Sequence, residues 1–234
     1  MLKYLLRTAG TLCLLLGGAC GALAATPDSD EFEVSAANLL VVLRESPGAN
    51  KQDARLEPFG KISRRLDDGR HIEFEASWFQ YLGDMHLRLV FDGDRRVQSA
   101  LPQDLERLHL SPEQALGVAV DNLRRRYGEP VAEPWVGGLM QVRGNAPDLD
   151  SSYLLDLAFW QEQERHYPEG IVVAAPARGG VVFARADDQM AVTGLRFSAA
   201  VLYFADERTR LSSALYLFKD GRWSVFQPAQ KPLD

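Results

Sequence analysis

The chain has 234 residues, a hydrophobic fraction of 46%, a charged fraction of 25% and a formal net charge of −6 at pH 7. The acidic balance argues against general nucleic-acid binding, because such binding rests on a basic surface. It also provides no long-range attraction to anionic lipid. The composition is that of an ordinary globular protein.

The first 24 residues are predicted to be an export signal. Lys3 and Arg7 give a positive start, an apolar run covers 12–16, and Ala22-Leu23-Ala24 fits the small-x-small pattern that signal peptidase cleaves. The apolar core is shorter than the roughly 20 residues that a spanning helix needs. We therefore expect cleavage after Ala24, or one residue later. The mature protein is then periplasmic or secreted and has no transmembrane segment.

Both cysteines, Cys13 and Cys20, fall within this leader. Cleavage leaves a mature chain without thiols, which must fold without disulfides and cannot use cysteine nucleophiles or cysteine-based zinc sites. A lipid anchor on Cys20 is the alternative. It is disfavoured because the leucine of the lipoprotein pattern, Leu16, lies one position too far from the cysteine.

The N-terminal part, residues 25–100, is predicted to contain a short helix followed by strands. Ser35 caps the helix, which runs to Leu43 with apolar residues on one side. Asp67-Asp68-Gly69 indicates a hairpin between 62–66 and 71–79, and period-two alternation in the second arm gives one dry and one wet face. The next strands cover 85–91 and 95–99.

The C-terminal part, residues 101–234, alternates helices with strands. Its strongest helix begins at the cap Ser111, has Pro112 in the first position and ends at Gly128. The turn Lys219-Asp220-Gly221 indicates a hairpin. In chain order after the first helix, the predicted elements are a strand at 139–142, a helix at 151–165, strands at 171–175 and 181–184, a helix at 189–204, and strands at 214–218 and 222–226.

This order of elements predicts an α+β fold, with a mostly antiparallel sheet and helices packed on one face. Hairpins separated by single helices favour antiparallel pairing. No convincing linker separates 25–100 from 101–234. We therefore expect one compact body with two sub-parts.

Several segments of the C-terminal part resemble a known family. They are Ser111-Pro112-Glu113-Gln114-Ala115-Leu116 with Asn122-Leu123, Ser152-Tyr153-Leu154-Leu155-Asp156, and Val172-Val173-Ala174-Ala175-Pro176-Ala177-Arg178. In order and spacing they are similar to the YtpQ-like bacterial proteins, over about 111–226. That family has no established biochemical function, so the resemblance implies no catalytic residue. It implies an α+β fold and a binding surface around Tyr153, Asp156, Pro176 and Arg178. Its members are usually cytoplasmic, which departs from the predicted leader.

No catalytic, metal or cofactor motif stands out. The four histidines are scattered, and no Gly-x-Ser-x-Gly elbow exists. His71, Glu73 and Glu75 share one strand face, which we interpret as a solvated face and not a metal site. We therefore predict no catalytic residue, no metal site and no cofactor.

Three weaker patterns carry the remaining hypotheses. Asp156 lies in an otherwise apolar helix, and Arg178 is a plausible charge partner. Arg178-Gly179-Gly180 offers backbone N–H groups to an anion, although a hairpin turn needs the same residues. The aromatic residues Trp78, Phe79 and Tyr81 are expected in the core, and an exposed part of this cluster would form a partner surface.

The leading functional hypothesis is a non-enzymatic envelope factor that binds another protein or a peptide. A second hypothesis is a carboxylate-dependent hydrolase with Asp156 near its centre. A third is a small-ligand carrier with a pocket between helix and sheet.

Overall fold

The computed structural model describes residues 33–66, 68–93 and 97–230. The predicted leader with Cys13 and Cys20 lies outside these ranges, as does part of the two predicted turns near residues 67 and 94. In chain order the strands are β1 Leu39–Glu45, β2 Glu57–Pro58, β3 Ile62–Arg65, β4 His71–Phe74, β5 Trp78–Gln80, β6 Met85–Asp92, β7 Val97–Ser99, β8 Val131–Pro134, β9 Met140–Arg143, β10 Ile171–Ala177, β11 Gly180–Arg185, β12 Leu215–Lys219 and β13 Arg222–Gln227.

The helices connect and cover these strands. The α-helices are α1 Pro102–Arg107, α2 Pro112–Tyr127, α3 Leu157–His166 and α4 Gln189–Ala205, and the 3-10 helices are Ala36–Asn38, Val136–Gly138 and Pro147–Leu155. None of the helices in the described ranges is both long and apolar enough to cross a membrane.

All strand pairs in the three sheets are antiparallel. The N-terminal sheet has the order β1-β6-β5-β2, with β7 also paired to β6, and the C-terminal sheet has the order β13-β12-β10-β11-β9-β8. Strands β3 and β4 form a separate two-stranded sheet. The predicted α+β class and its antiparallel pairing are therefore confirmed.

The C-terminal sheet is covered on both faces, whereas the expectation placed the helices on one. Alternate residues of β10 divide between two cores: Ile171 and Val173 belong to a large core that includes Trp160 of α3. Val172 and Ala174 belong to a smaller core under α4, with Leu195. Successive strand residues point to opposite faces, so the continuous apolar run of β10 requires cover on each side.

Helix α2 forms as its sequence signals predict. Ser111 Oγ accepts a hydrogen bond from the Gln114 backbone N–H at 3.2 Å, and the Gln114 side-chain oxygen accepts one from the Ser111 N–H at 2.9 Å. This reciprocal capping box satisfies two donors at the helix start. The helix ends at Gly128, whose φ of 88° suits glycine.

The helix predicted over 35–43 is wrong. Ser35 starts only the 3-10 turn Ala36–Asn38, and the apolar run after it is β1. A short apolar run fits a buried strand as well as a helix, and the core on both sides of β1 decides between them. Asn122 of α2 covers the free edge of β1 by donating its side-chain amide to the Leu39 carbonyl at 2.8 Å.

The helix predicted over 151–165 is correct only in its second half. The residues up to Leu155 belong to the 3-10 helix Pro147–Leu155, and α3 begins after Asp156, whose φ of −82° and ψ of 83° interrupt the helical path. The aspartate favours this interruption because its side chain caps the new helix.

A buried polar joint connects the N-terminal sheet to the C-terminal sheet. Asp84, in the turn between β5 and β6, accepts hydrogen bonds on one carboxylate oxygen from Tyr216 of β12 at 3.0 Å and from Ser212 at 2.5 Å. Gly83 lies against the Tyr216 ring, so a Cβ there would lie 2.7 Å from Tyr216 Cε1. Burial raises the pKa of Asp84, and the two hydroxyls oppose that rise.

Removing the Tyr216 hydroxyl should weaken this joint. We expect Tyr216→Phe to lower the free energy of unfolding by about 1–3 kcal/mol, since the buried Asp84 carboxylate loses one of its donors. Urea denaturation at neutral pH measures the change.

Tyr81→Phe is the matched control. Tyr81 is also buried, but its hydroxyl makes no hydrogen bond to any residue in the described ranges. Its removal should change stability by less than about 0.5 kcal/mol. Equal losses in the two variants would show that the joint contributes nothing specific.

Candidate functional site

Tyr153 is a structural link between the long 3-10 helix and the end of α2. Its ring is fully buried, and its hydroxyl donates to the Gly128 carbonyl at 2.7 Å. Burial raises the pKa of Tyr153 to about 12, so the hydroxyl stays protonated at neutral pH. Gly144 leaves room for the ring, because a Cβ there would collide with it.

Asp156 is engaged on both carboxylate oxygens. Oδ1 accepts the Phe159 backbone N–H at 3.0 Å, which caps α3, and Oδ2 accepts Arg124 Nε at 2.6 Å. The expected partner, Arg178, is therefore replaced by Arg124 from the last turn of α2, which the packing of α2 against this segment brings closer. With both oxygens engaged, Asp156 is held as a helix cap and ion-pair partner.

Pro176 and Arg178 lie at the end of β10, where the Arg178 carbonyl accepts the N–H of Ser151 in the long 3-10 helix at 3.0 Å. Pro176 is in an irregular stretch of β10, where the register shifts between Ala174 and Ala177, and its carbonyl accepts the Leu211 N–H at 2.8 Å. A bulge tolerates proline because no ladder donor is needed there. Of the four predicted site residues, Tyr153 and Asp156 are joined by one backbone hydrogen bond, from the Asp156 N–H to the Tyr153 carbonyl at 3.2 Å. In the described part of the chain, neither residue makes a hydrogen bond to Pro176 or Arg178.

Arg178 leads to a group of residues that sequence reasoning missed. Strand register pairs Arg44 of β1 with His86 of β6, and Val42 of β1 with Arg88 of β6, so the two arginines share one face of the N-terminal sheet. The positive charge of Arg178, in the turn after β10, lowers the pKa values of both arginines. We call Arg44, Arg88 and Arg178 the arginine cluster.

Among the described residues, no acidic side chain forms an ion pair with the arginine cluster. Burial first, then repulsion from Arg178 and Arg88, lowers the pKa of Arg44 to about 10. Burial and then Arg178 lower the pKa of Arg88 to about 10 as well. Both remain charged at neutral pH, but at a free-energy cost that burial of like charges imposes.

His86 supports the cluster as a neutral imidazole. Arg88 Nε donates to His86 Nε2 at 2.9 Å, so that nitrogen carries no proton, and Nδ1–H then donates to Ser46 Oγ at 3.0 Å. Burial first, and then the charges of Arg88 and Arg44, lower the pKa of His86 to about 4. A guanidinium beside an imidazole favours the neutral form because like charges repel.

The aromatic ring of Trp78 packs against Arg88 of the arginine cluster. The guanidinium carbon of Arg88 lies 3.6 Å from the ring centroid of Trp78, which is directly opposite it in the register between β5 and β6. Phe59 packs edge-on to Trp78 with ring centroids 5.9 Å apart. This cation–π contact fixes the orientation of Arg88.

A cavity of about 380 Å³ borders the same tryptophan. Most of its lining is apolar, with three prolines among the walls, and Glu75 and Glu106 are exposed at its edge. Two lining residues, Ser77 and Trp78, each have a buried side-chain polar atom with no hydrogen-bond partner in the described ranges. The lining residues are Pro58, Gly60, Glu75, Ala76, Ser77, Trp78, Phe79, Pro102, Leu105, Glu106, Leu110 and Pro112.

The other sequence hypotheses have simpler outcomes. His71, Glu73 and Glu75 are exposed on and beside β4, and the described residues contain no group of three acidic, histidine or cysteine side chains placed to hold a metal. Phe79 and Tyr81 are buried as expected, whereas Trp78 is half-buried. One sequence signal for the missed site was present: His86 and Arg88 alternate with apolar residues along β6.

Loss of Asp156 should be costly because it leaves Arg124 without its buried partner. We expect Asp156→Ala to lower the free energy of unfolding by about 3–5 kcal/mol, from the broken ion pair and the lost cap. Asp188→Ala is the control, since Asp188 caps α4 through the Ala191 N–H at 2.9 Å but is exposed. It should lose only about 1 kcal/mol. Urea denaturation compares the two, and similar losses would contradict the assigned ion-pair role.

His86 should make the protein acid-sensitive. Its folded pKa of about 4 lies below the ordinary value of 6.5, so the unfolded chain takes up this proton first as the pH falls. Stability should therefore decline between about pH 6.5 and about pH 4, by up to about 3 kcal/mol from this group. Urea denaturation across this range, on wild type and His86→Gln, isolates the histidine's share.

The exposed His71→Gln variant should keep the wild-type dependence on pH. An identical pH dependence in His86→Gln and wild type would show that His86 is not held neutral in the folded state.

Comparisons with known proteins add no relative. No protein-family model, no curated protein and no solved structure matches this chain. The resemblance to the YtpQ-like proteins therefore stays a prediction.

Proposed function

We propose that this protein is an exported, non-enzymatic factor that binds another protein, and that a peptide segment of the partner enters the cavity beside Trp78. The observation that carries this proposal is an apolar cavity of about 380 Å³ whose lining includes two residues with unpartnered buried polar atoms. The predicted leader supports export, and with it a periplasmic or secreted location.

The chemistry of the cavity suits an extended peptide. Proline and aromatic walls pack against apolar side chains without losing conformational freedom, as in domains that bind proline-rich or extended segments. Peptide carbonyls are acceptors for the Trp78 Nε1–H and the Ser77 hydroxyl, and satisfying a buried donor on binding contributes to affinity. The two glutamates at the edge favour a basic residue in the ligand.

A second surface supports a protein partner. Helix α4 presents an apolar face to solvent, on which Met190 is 87% and Phe197 is 73% exposed, together with Val201 and Phe204. A contiguous exposed apolar face of this kind is typical of surfaces that bind another protein.

The alternative functions are less well supported. A hydrolase centred on Asp156 requires a carboxylate oxygen that is free to act, whereas both are engaged by Phe159 and Arg124. A small-ligand carrier would use the same cavity, whose volume is within the usual range of about 300–1,000 Å³ for such sites. Selection of displayed peptides on the protein distinguishes a peptide-binding protein from a small-ligand carrier.

Filling the cavity should abolish peptide binding. Random peptides displayed on phage are selected on the immobilised mature protein, and an enriched peptide is titrated by fluorescence anisotropy. Leu110, partly buried in the lining, is replaced to give Leu110→Trp, whose larger ring occupies the cavity. We expect its affinity for the peptide to fall at least about tenfold, equivalent to about 1.4 kcal/mol.

Leu101→Trp is the matched control, because Leu101 is 39% exposed and is not part of the lining. It should bind the peptide as wild type does. The proposal fails if selection enriches no peptide, or if Leu110→Trp binds the enriched peptide with unchanged affinity. A small apolar dye that binds wild type when no peptide does would favour the carrier instead.

A further inference from the structure

We propose that the arginine cluster is a binding site for an oxyanion, that is, for a phosphate or carboxylate group of a ligand. This inference concerns the charged face of the N-terminal sheet, and it does not depend on peptide binding in the cavity.

Rigid elements hold the donors of this site. Arg44 and Arg88 project from neighbouring strands, where the pairing of Arg44 with His86 and of Val42 with Arg88 fixes their spacing. The ring of Trp78 and the bond to His86 orient Arg88. Arg178 is anchored at its backbone, since its N–H donates to the Thr209 carbonyl at 2.9 Å and its carbonyl accepts the Ser151 N–H at 3.0 Å.

The guanidinium groups keep most of their donors free. Within the described residues each makes a hydrogen bond through one nitrogen atom: Arg44 to the Leu43 carbonyl, Arg88 to His86, and Arg178 to the Arg208 carbonyl. The Nε of Arg178 is buried and has no partner there. A guanidinium carries five N–H donors in a fork that matches an oxyanion, so the cluster offers several donors to one ligand.

No acidic side chain of the described ranges forms an ion pair with any of these three arginines. The contrast with other partly buried arginines is informative. Arg124 is paired with Asp156 at 2.6 Å, and Arg210 with Glu45 at 2.9 Å. Among the half-buried arginines of the described ranges, the three of the arginine cluster are the ones without an acidic partner.

An unpaired cluster lowers the stability of the fold, because burial and mutual repulsion both oppose its charge. A contribution to fold stability does not explain this arrangement of unpaired charges. A ligand that brings negative charge does explain it, since locally unfavourable arrangements are most often found at functional sites. A bound oxyanion would offset the repulsion and engage the free N–H groups.

The test uses two arginine substitutions and two anions. Thermal unfolding of the mature protein is followed in inorganic phosphate, in acetate and in chloride, at equal ionic strength and neutral pH. We expect the wild-type Tm to rise with phosphate or acetate concentration relative to chloride, because a ligand that binds the folded state stabilises it. The anion with the larger effect identifies the ligand class.

The variant Arg44→Gln distinguishes an anion-binding role of Arg44 from a purely structural role. It should raise Tm in chloride, since it removes repulsion with Arg88 and Arg178, and it should abolish the rise with the effective anion. A purely structural arginine would lower Tm in chloride and leave the anion response intact. Arg178→Gln repeats the measurement if Arg44→Gln does not fold. Arg185→Gln, which replaces an exposed arginine paired with Asp187, is the control that keeps the wild-type response.

A second readout locates the ligand. Carbon-13 labelling of histidine allows the pKa of His86 to be followed by NMR, and a bound oxyanion should raise it by offsetting the charges of Arg88 and Arg44. The proposal is overturned if wild-type Tm is the same in all three salts, or if Arg44→Gln and Arg178→Gln respond to the anion as wild type does.

Discussion

The arrangement of the molecule depends on the buried polar joint around Asp84. A carboxylate in a dry interior is unfavourable unless donors surround it, and here Tyr216 and Ser212 bring both hydroxyls to one of its oxygens. Those donors come from the C-terminal sheet and the segment before it, while Asp84 belongs to the N-terminal sheet. The hydrogen bonds therefore fix the two sheets in one relative position. Gly83 permits this position because the absence of a Cβ lets the Tyr216 ring approach its backbone.

The alternation of residues along β1 explains why Arg44 has no acidic partner among the described residues. Glu45 follows Arg44 in β1, and successive strand residues point to opposite faces. Glu45 is engaged by Arg210 and by the Tyr203 hydroxyl on the side of α4. Arg44 is left on the other face with His86, so strand alternation separates the acidic Glu45 from the arginine cluster.

Sequence patterns predicted the elements that depend on local signals. Helix α2 has a capping box and a terminal glycine within its own span, and the β12–β13 hairpin forms around the predicted turn. The site could not be predicted in the same way, because the pairing of Arg44 with His86 joins residues of two distant strands. The uniformly apolar run of β1 is consistent with a helix. A helix at this position gives no pairing with β6, so the predicted structure contains no arginine cluster.

The residues that looked unusual in the sequence and those that are unusual in the structure are mostly different. Asp156 drew attention as an acid in an apolar segment, yet Arg124 and the Phe159 N–H satisfy it fully. Ser77, Trp78, Arg178 and Trp223 each have a buried polar atom without a partner in the described ranges, and a folded chain tolerates such groups at a cost of about 1–3 kcal/mol each. Trp78 and Arg178 belong to both sets. Trp78 borders the cavity and also stacks on Arg88, so the unsatisfied atoms of Ser77, Trp78 and Arg178 lie near the two proposed sites, where hydrogen bonds to a ligand would offset their cost.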